Sequence, residues 1–230
     1  MASILIVDDH PIVRQGIRSM LEAELHNHHC REANDRRETL NALEEELPDV
    51  AIIDLLLRHD DGLALVKEIN SRFRSSSDDR PQILMLTMQD ESIYAERVLR
   101  AGANGFLAKD QAVSDLAVAV ETVLGGEIYL NRALSARILG RLLKGKESSP
   151  GKTPILRKLS DRELHVFQLI GAGVGTKDAA NSLGLSPKTI ETYRENIKAK
   201  LNLANVGALK SAATRWVETG TVSAQNDDEP

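Results

Sequence analysis

The sequence has a single cysteine, no long apolar run, no internal repeat and no long tract of low complexity. A lone Cys30 can form no internal disulfide, which suits a reducing compartment. The longest apolar runs, such as Ile4-Leu5-Ile6-Val7 and Ala51-Ile52-Ile53, fall far short of the ~20 residues of a membrane span. Residues 1–20 already carry Asp8, Asp9 and Arg14, so they do not read as a cleaved signal peptide. A cytoplasmic location without membrane attachment is therefore expected. What is present, 42% hydrophobic and 27% charged residues over 230 positions, is ordinary for a globular protein and suits two domains.

A net charge of −5 hides an uneven distribution. Residues 1–145 hold 17 basic against 24 acidic side chains, residues 146–218 hold 12 against 7, and the last dozen residues add three acids. An acidic first part joined to a basic second part invites an anionic partner for the second, nucleic acid foremost.

Short apolar runs at Ile4–Val7, Val50–Ile53, Ile83–Leu86 and Phe106–Ala108 alternate with amphipathic stretches at Ile12–Glu24, Arg36–Glu46, Leu63–Phe73, Ser92–Ala101 and Val113–Leu124. Continuous apolar strands separated by helices predict a parallel sheet covered on both faces. A more polar strand near Cys30 reads as an edge, so the expectation is an α/β domain with a doubly wound five-stranded sheet over residues 1–126. Residues 127–158 read as a connecting helix, with Leu130, Leu134, Ile138, Leu139 and Leu142 at helical spacing, and a linker from Lys144 to Pro154. A small all-α four-helix domain is expected over 159–218 and a disordered acidic tail over 219–230.

In open α/β sheets, ligands bind beyond the carboxyl ends of the strands. Asp8 and Asp9 follow the first strand, Asp54 the third, Thr87 the fourth and Lys109 the fifth. Carboxylates gathered in this way repel one another unless a cation sits among them, and oxygen ligands suit Mg²⁺ or Mn²⁺. Such a cation, with Lys109, could neutralise a transferring phosphoryl group while a carboxylate serves as nucleophile. A structural reading competes at Asp8 or Asp9: either could cap a helix starting near Pro11. The two roles are compatible.

The runs Ile-Val-Asp8-Asp9-His10-Pro11, Ile-Ile-Asp54-Leu, Leu-Thr87 and Ala-Gly-Ala-Asn-Gly-Phe106-Leu-Ala-Lys109-Asp resemble the receiver domain of two-component response regulators. The resemblance implies that Asp54 accepts phosphate from a sensor histidine kinase. Asp8, Asp9, Asp54 and the backbone carbonyl of Leu56 would bind Mg²⁺, Thr87 and Lys109 would contact the phosphoryl group, and Phe106 would be the switch aromatic. The chain departs from the family at Leu57 and Arg58, where Met-Pro is usual ahead of Asp61-Gly62. Phosphorylation is expected to survive, with a lifetime tuned in this family at Leu56 and Gln89.

In the basic part, Ser160-Asp-Arg-Glu163 is a capping-box sequence, and Leu164, Phe167 and Ile170 follow at helical spacing. Thr176 could cap a short second helix with Ala180 and Leu183 inward, Gly184 could make the turn, and Ser186-Pro187 suits the start of a third. That third helix would bury Ile190, Ile197 and Leu201 and present Lys188, Thr192, Arg194, Lys198 and Lys200 on its other faces. Two short helices joined by a glycine turn, the second basic, match a DNA-reading unit; a helical dimerisation module is the alternative.

Leu-Ser-Asp-Arg-Glu163 and the run from Ala179 to Leu201 resemble the LuxR-type helix-turn-helix, and a receiver followed by this unit resembles the NarL/FixJ family of transcription regulators. By that resemblance Lys188, Glu191, Thr192 and Glu195 face the DNA groove, while Tyr193, Arg194 and Lys198 suit backbone contacts. Glu191 and Glu195 stand where some members carry lysine; glutamate can accept from cytosine but repels phosphate, so a dimer is expected to be needed for binding. Val206 stands where an arginine is common, which would leave Glu163 without that pair. The implied partners are a histidine kinase, double-stranded DNA, a second copy of the chain and RNA polymerase. The receiver would mask the recognition helix, drive dimerisation, or both.

The cluster His26, His28, His29 and Cys30 reads as a solvated turn, because its spacing lacks a second ligand pair. His10 and His59 flank the acidic pocket, and Trp216 is expected to pack the last helix with Leu209 and Ala213. A haloacid-dehalogenase-type phosphohydrolase would want Asp-x-Asp after the first strand and a substrate cap, and both are missing. A regulator that assists only its own phosphotransfer and dephosphorylation is the expectation, not an enzyme. A receiver that is never phosphorylated would have lost pocket residues, and none is lost.

Overall fold

The structure, a computed structural model, describes residues 1–57, 60–73, 80–88, 91–143, 156 and 158–219, the side chains of residues 92, 93 and 141–143 excepted. Arg58, His59, Gln89, the Lys144–Pro154 linker and the acidic tail from residue 220 lie outside the described residues. The chain divides into two compact units, Met1–Lys146 and Glu147–Pro230.

In the first unit, β1 (Ala2–Val7), β2 (His28–Ala33), β3 (Val50–Asp54), β4 (Gln82–Thr87) and β5 (Gly105–Ala108) alternate with α1 (Pro11–Glu24), α2 (Arg36–Glu45), α3 (Gly62–Arg72), α4 (Glu91–Ala101) and α5 (Ala112–Leu124). All strands are parallel, in the order β2-β1-β3-β4-β5. Every residue of β3 is buried, whereas β2 buries only Cys30 and Ala33, as an edge strand should. Ile4, Ile6, Val50, Ile52, Leu84 and Leu86 form one face of the core against Ile17 and Leu21 of α1 and Leu116, Val120 and Val123 of α5. Each such side chain contributes about 1.5–3 kcal/mol on burial. The strand order reverses between β1 and β3, and their carboxyl ends carry Asp8 and Asp54. This sequence of strands thus opens its crevice beside three carboxylates.

Two local expectations change. His28 and His29 belong to β2, not to a turn; Leu25, His26 and Asn27 lie between helix and strand, and Asn27 takes a positive φ of 60°. The N-cap of α1 is His10, which makes no side-chain cap, so neither aspartate caps the helix. Asp8 Oδ1 instead accepts from the His10 amide at 2.8 Å, a turn that leaves Pro11 to open the helix without a wasted donor.

The helix over residues 127–143 is α6 (Arg132–Leu143), and it packs on α4 within the first unit. Tyr129 extends the sheet beyond β5: its amide donates to the Asn104 carbonyl at 2.9 Å, and the Phe106 amide donates to its carbonyl at 3.0 Å. Asn131 then serves two elements at once. Its Oδ1 accepts from the Leu134 amide at 2.9 Å at the start of α6, and its Nδ2 reaches the Glu91 carboxylate of α4 at 2.7 Å. Leu134 is buried and Leu139 exposed, so the leucine stripe is covered only in part.

The second unit contains α7 (Asp161–Gly171), α8 (Thr176–Ser182), α9 (Pro187–Leu201) and α10 (Val206–Thr219). The capping box forms as its sequence predicts: Ser160 Oγ accepts from the Glu163 amide and Glu163 Oε2 accepts from the Ser160 amide. Ser186 caps α9 through the Thr189 amide at 3.1 Å, with Pro187 at its first position. Trp216 of α10 lies 5.6 Å from Phe167 of α7, ring centre to ring centre, in the tilted arrangement aromatic pairs favour. The same helices touch at Gly171, where an added Cβ would stand 2.4 Å from the Ala213 carbonyl oxygen.

Candidate functional site

The residues ending β1, β3, β4 and β5 meet at one rim. Lys109 Nζ donates to Asp8 Oδ2 at 2.6 Å and to Asp54 Oδ2 at 2.8 Å, which draws two carboxylates 46 positions apart in sequence onto one ammonium. Asp8, Asp54 and Thr87 are all buried. The Lys109 amide donates to the Thr87 carbonyl at 2.8 Å and so joins the ends of β4 and β5. Phe106 is fully buried in β5, and the Leu56 amide reaches Asp54 Oδ1 at 3.4 Å.

Charge is unevenly compensated here. Burial pushes the Asp54 carboxyl up to about 6 against the pull of Lys109, and the nearby Asp8 adds to the rise. Burial works to lower the Lys109 ammonium, but the Asp54 and Asp8 carboxylates hold it above its usual range. One ammonium cannot balance Asp8, Asp9 and Asp54 together. Asp8, Asp9 and His10 offer ligand atoms within 4.8 Å of one another, and an oxygen-rich set of this kind fits a hard divalent cation. His10 Nδ1 lies 3.2 Å from a carboxylate oxygen of each aspartate, beside the pocket as its sequence position suggests.

The loop after Asp54 is closed at its ends. Leu56 pairs with Asp61 in an antiparallel bridge, and the Gly62 amide donates to the Leu55 carbonyl at 3.0 Å. Asp61 Oδ1 caps α3 through the Leu63 amide at 2.9 Å. Gly62 lies directly against the Asp54 backbone: an added Cβ would meet the Asp54 carbonyl oxygen at 2.2 Å.

On α9, Lys188, Glu191, Thr192 and Glu195 are exposed, while Tyr193, Arg194 and Lys198 are partly covered. The acids and bases pair along the helix, Glu191 with Arg194 at 3.5 Å and Glu195 with Lys198 at 2.9 Å. Thr176 does not cap α8; the N-cap is Gly175, without a side-chain bond. Its hydroxyl instead donates to Glu191 Oε1 at 2.9 Å and accepts from Arg194 Nη1 at 2.8 Å, which fastens α9 to the start of α8. Glu163 does not lack a cation either. Lys200 reaches its carboxylate at 2.6 Å, in place of the arginine expected at position 206. By sequence Lys200 belongs to the basic face of α9, and no local pattern points to Glu163, 37 positions away.

Residues 4–121 match the response regulator receiver domain, and residues 157–212 match the bacterial regulatory proteins of the luxR family. The chain is a NarL/FixJ-family response regulator. This regulator is 35% identical over 202 residues to the oxygen regulatory protein NreC of Staphylococcus haemolyticus, covering 87% of this chain and 91% of that one. It is 32% identical over 206 residues to the fimbriae Z protein of Salmonella typhimurium, covering 89% and 92%. Among solved structures it is similar to RcsB of Salmonella enterica serovar Typhimurium bound to the promoter rprA with the phosphomimetic BeF3⁻. The TM-score is 0.55 with 29% identity, over 93% of this chain and 99% of that one. The regulator is therefore a two-component response regulator with a receiver and a LuxR-type DNA-binding domain. No helix among the described residues is long and apolar enough to cross a membrane.

Proposed function

We propose that Asp54 is the phosphoacceptor, that Asp8, Asp9, Asp54 and the Leu56 carbonyl hold Mg²⁺ or Mn²⁺, and that phosphorylation controls DNA binding by α9. The observation that carries this reading is the single Lys109 ammonium bonded to both Asp8 and Asp54 at the carboxyl ends of β5, β1 and β3. An Asp54 carboxylate oxygen attacks the phosphorus of a kinase phosphohistidine. The new P–O bond forms as the P–N bond breaks, and the histidine leaves with the electron pair. Lys109 turns from Asp54 to a phosphoryl oxygen and keeps its contact with Asp8, while the Thr87 hydroxyl donates to another oxygen. A bound divalent cation supplies charge neutralisation at the remaining phosphoryl oxygens. Burial of Asp54 and Phe106 limits water at the acyl phosphate and its surroundings.

For the second unit, Lys188, Glu191, Thr192 and Glu195 are proposed to read bases, and Tyr193, Arg194 and Lys198 to contact the backbone. Their placement on α9, capped at Ser186 and braced through Thr176, supports this reading. Because Glu191 and Glu195 already neutralise Arg194 and Lys198, one copy binds weakly and two copies are needed. RNA polymerase is the expected downstream partner.

Incubation of the full chain with acetyl phosphate and Mg²⁺, followed by a phosphate-affinity gel, tests the acceptor. A retarded band is expected for wild type and none for Asp54→Asn. An equal band in the variant, or none in wild type, overturns the assignment. A footprint on genomic DNA with and without acetyl phosphate tests the coupling, and protection that ignores phosphorylation overturns it.

A further inference from the structure

Two of the pocket's carboxylates, Asp8 and Asp9, sit on a turn that is braced from outside the pocket. Asp8 and Asp9 follow β1, and their side chains are aimed by the backbone between Val7 and Pro11. The Asp8 amide is tied to the Ala33 carbonyl at the end of β2 at 3.2 Å. The Asp8 carbonyl accepts from Arg14 Nη1 at 2.7 Å. Arg14 is itself held: its Nε donates to Glu32 Oε2 at 2.9 Å, one residue before Ala33 on β2. Arg18, one helical turn on, donates Nη2 to Glu32 Oε1 at 2.7 Å and so fixes the carboxylate from its other side.

Each part of this arrangement needs a guanidinium. Arg14 presents two N–H groups in a rigid fork, one to the carboxylate and one to the carbonyl, while most of its surface is covered. A lysine has the charge without the fork. Glu32 stands beside Ile6 in the paired register of β1 and β2, so the brace links the edge strand, the first turn of α1 and the turn bearing the metal-binding acids. Neither Arg14 nor Glu32 is within the pocket, and neither supplies a ligand atom.

We propose that Arg14 is a positioning residue for the metal site: braced by Glu32, it holds the Asp8 carbonyl and thereby aims Asp8 and Asp9 at the divalent cation. This rests on the reading of Asp8, Asp9 and Asp54 as the metal-binding acids. Supporting groups behind metal ligands change affinity by about tenfold or more when removed. Two physical effects oppose each other at this position, since the guanidinium is also a positive charge near a cation site. Variants that keep the charge separate them.

Binding of Mn²⁺ to the full-length protein, read from the loss of the free-ion electron paramagnetic resonance signal, provides the test. Arg14→Lys and Glu32→Asp both preserve charge and lose the reach of the brace. Both are expected to raise the Mn²⁺ dissociation constant, Arg14→Lys by about tenfold. The two variants back each other, so one that fails to fold leaves the other decisive. A melting temperature measured without metal identifies a purely structural brace: a lower value with an unchanged dissociation constant overturns the proposal. So does an Arg14→Ala protein that binds Mn²⁺ more tightly while Arg14→Lys matches wild type, which is the outcome for charge alone. If wild type binds no Mn²⁺ that Asp9→Asn abolishes, the metal-site reading itself fails and the proposal fails with it.

Discussion

Gly62→Ala is expected to destabilise the first unit by about 3 kcal/mol and to abolish phosphorylation by acetyl phosphate. The added Cβ would stand 2.2 Å from the Asp54 carbonyl oxygen, 2.9 Å from Leu55 Cα and 3.0 Å from the Leu55 carbonyl oxygen. All three obstacles are backbone, so no rotamer change relieves them. Nor can β3 withdraw, because it is hydrogen-bonded to β1 on one side and to β4 on the other. The helix must move instead, which breaks the Gly62–Leu55 hydrogen bond and opens the loop closed by Leu56 and Asp61. The Asp54 carboxylate then loses its fixed approach to Lys109. Scanning calorimetry of the full chain should show the transition of the first unit about 10 °C lower, with the second unit unmoved. A variant that melts and is phosphorylated as wild type would show that α3 yields without cost.

Glu163→Ala is expected to destabilise the second unit by about 2 kcal/mol. Its carboxylate is buried and accepts from the Ser160 amide at 2.7 Å and from Lys200 at 2.6 Å. Alanine removes half of the capping box and frees a helix-end donor, while Lys200, 42% exposed, returns to water. Trp216 is the chain's one tryptophan and packs on Phe167, so its fluorescence follows this unit alone. The midpoint of urea unfolding read at Trp216 should fall; an unchanged midpoint would remove Glu163 as a structural anchor.

The same carboxylate sets a pH dependence. Burial raises its pKa, but Lys200 and the Ser160 donors outweigh that and hold it below the usual 4.5. A depressed folded-state pKa means that the stabilisation is complete above about pH 4.5 and is lost as pH falls through the lower folded value. Wild type should therefore lose stability of this unit on acidification, and Glu163→Ala should lose less over the same range. Parallel loss in both proteins would place the acid sensitivity elsewhere.

The apolar runs, the helical periodicity and the serine caps of α7 and α9, all set by neighbours a few positions apart, were legible in the sequence. The five strands and five helices of the receiver come within two residues of their predicted limits, apart from the polar edge strand, because apolar runs and helical periodicity are local patterns. The capping box at Ser160 and the Ser186-Pro187 start are equally local. Thr176 misled for the same reason: hydroxyl residues favour caps, but Arg194 and Glu191 compete for this one across the α8–α9 interface. The histidines of β2 misled because strand pairing with Ala2 and Ser3 outweighs their polarity.

The candidate pocket was legible as five residues at strand ends, since a parallel sheet sends all those ends to one rim. The amino-acid sequence by itself thus determined the alternating α/β unit, the capped helices and the chemical types gathered around Asp54. Only the tertiary structure decided which groups meet: Lys109 with Asp8 from 101 positions away, Lys200 with Glu163 from 37, and Arg14 with Glu32 from 18. It also turned the connecting helix into a layer on α4, through Asn131 and Glu91. The physical reason is range. Propensity and capping act within a turn of chain, whereas partners across the fold depend on strand order and register, which the whole core sets together.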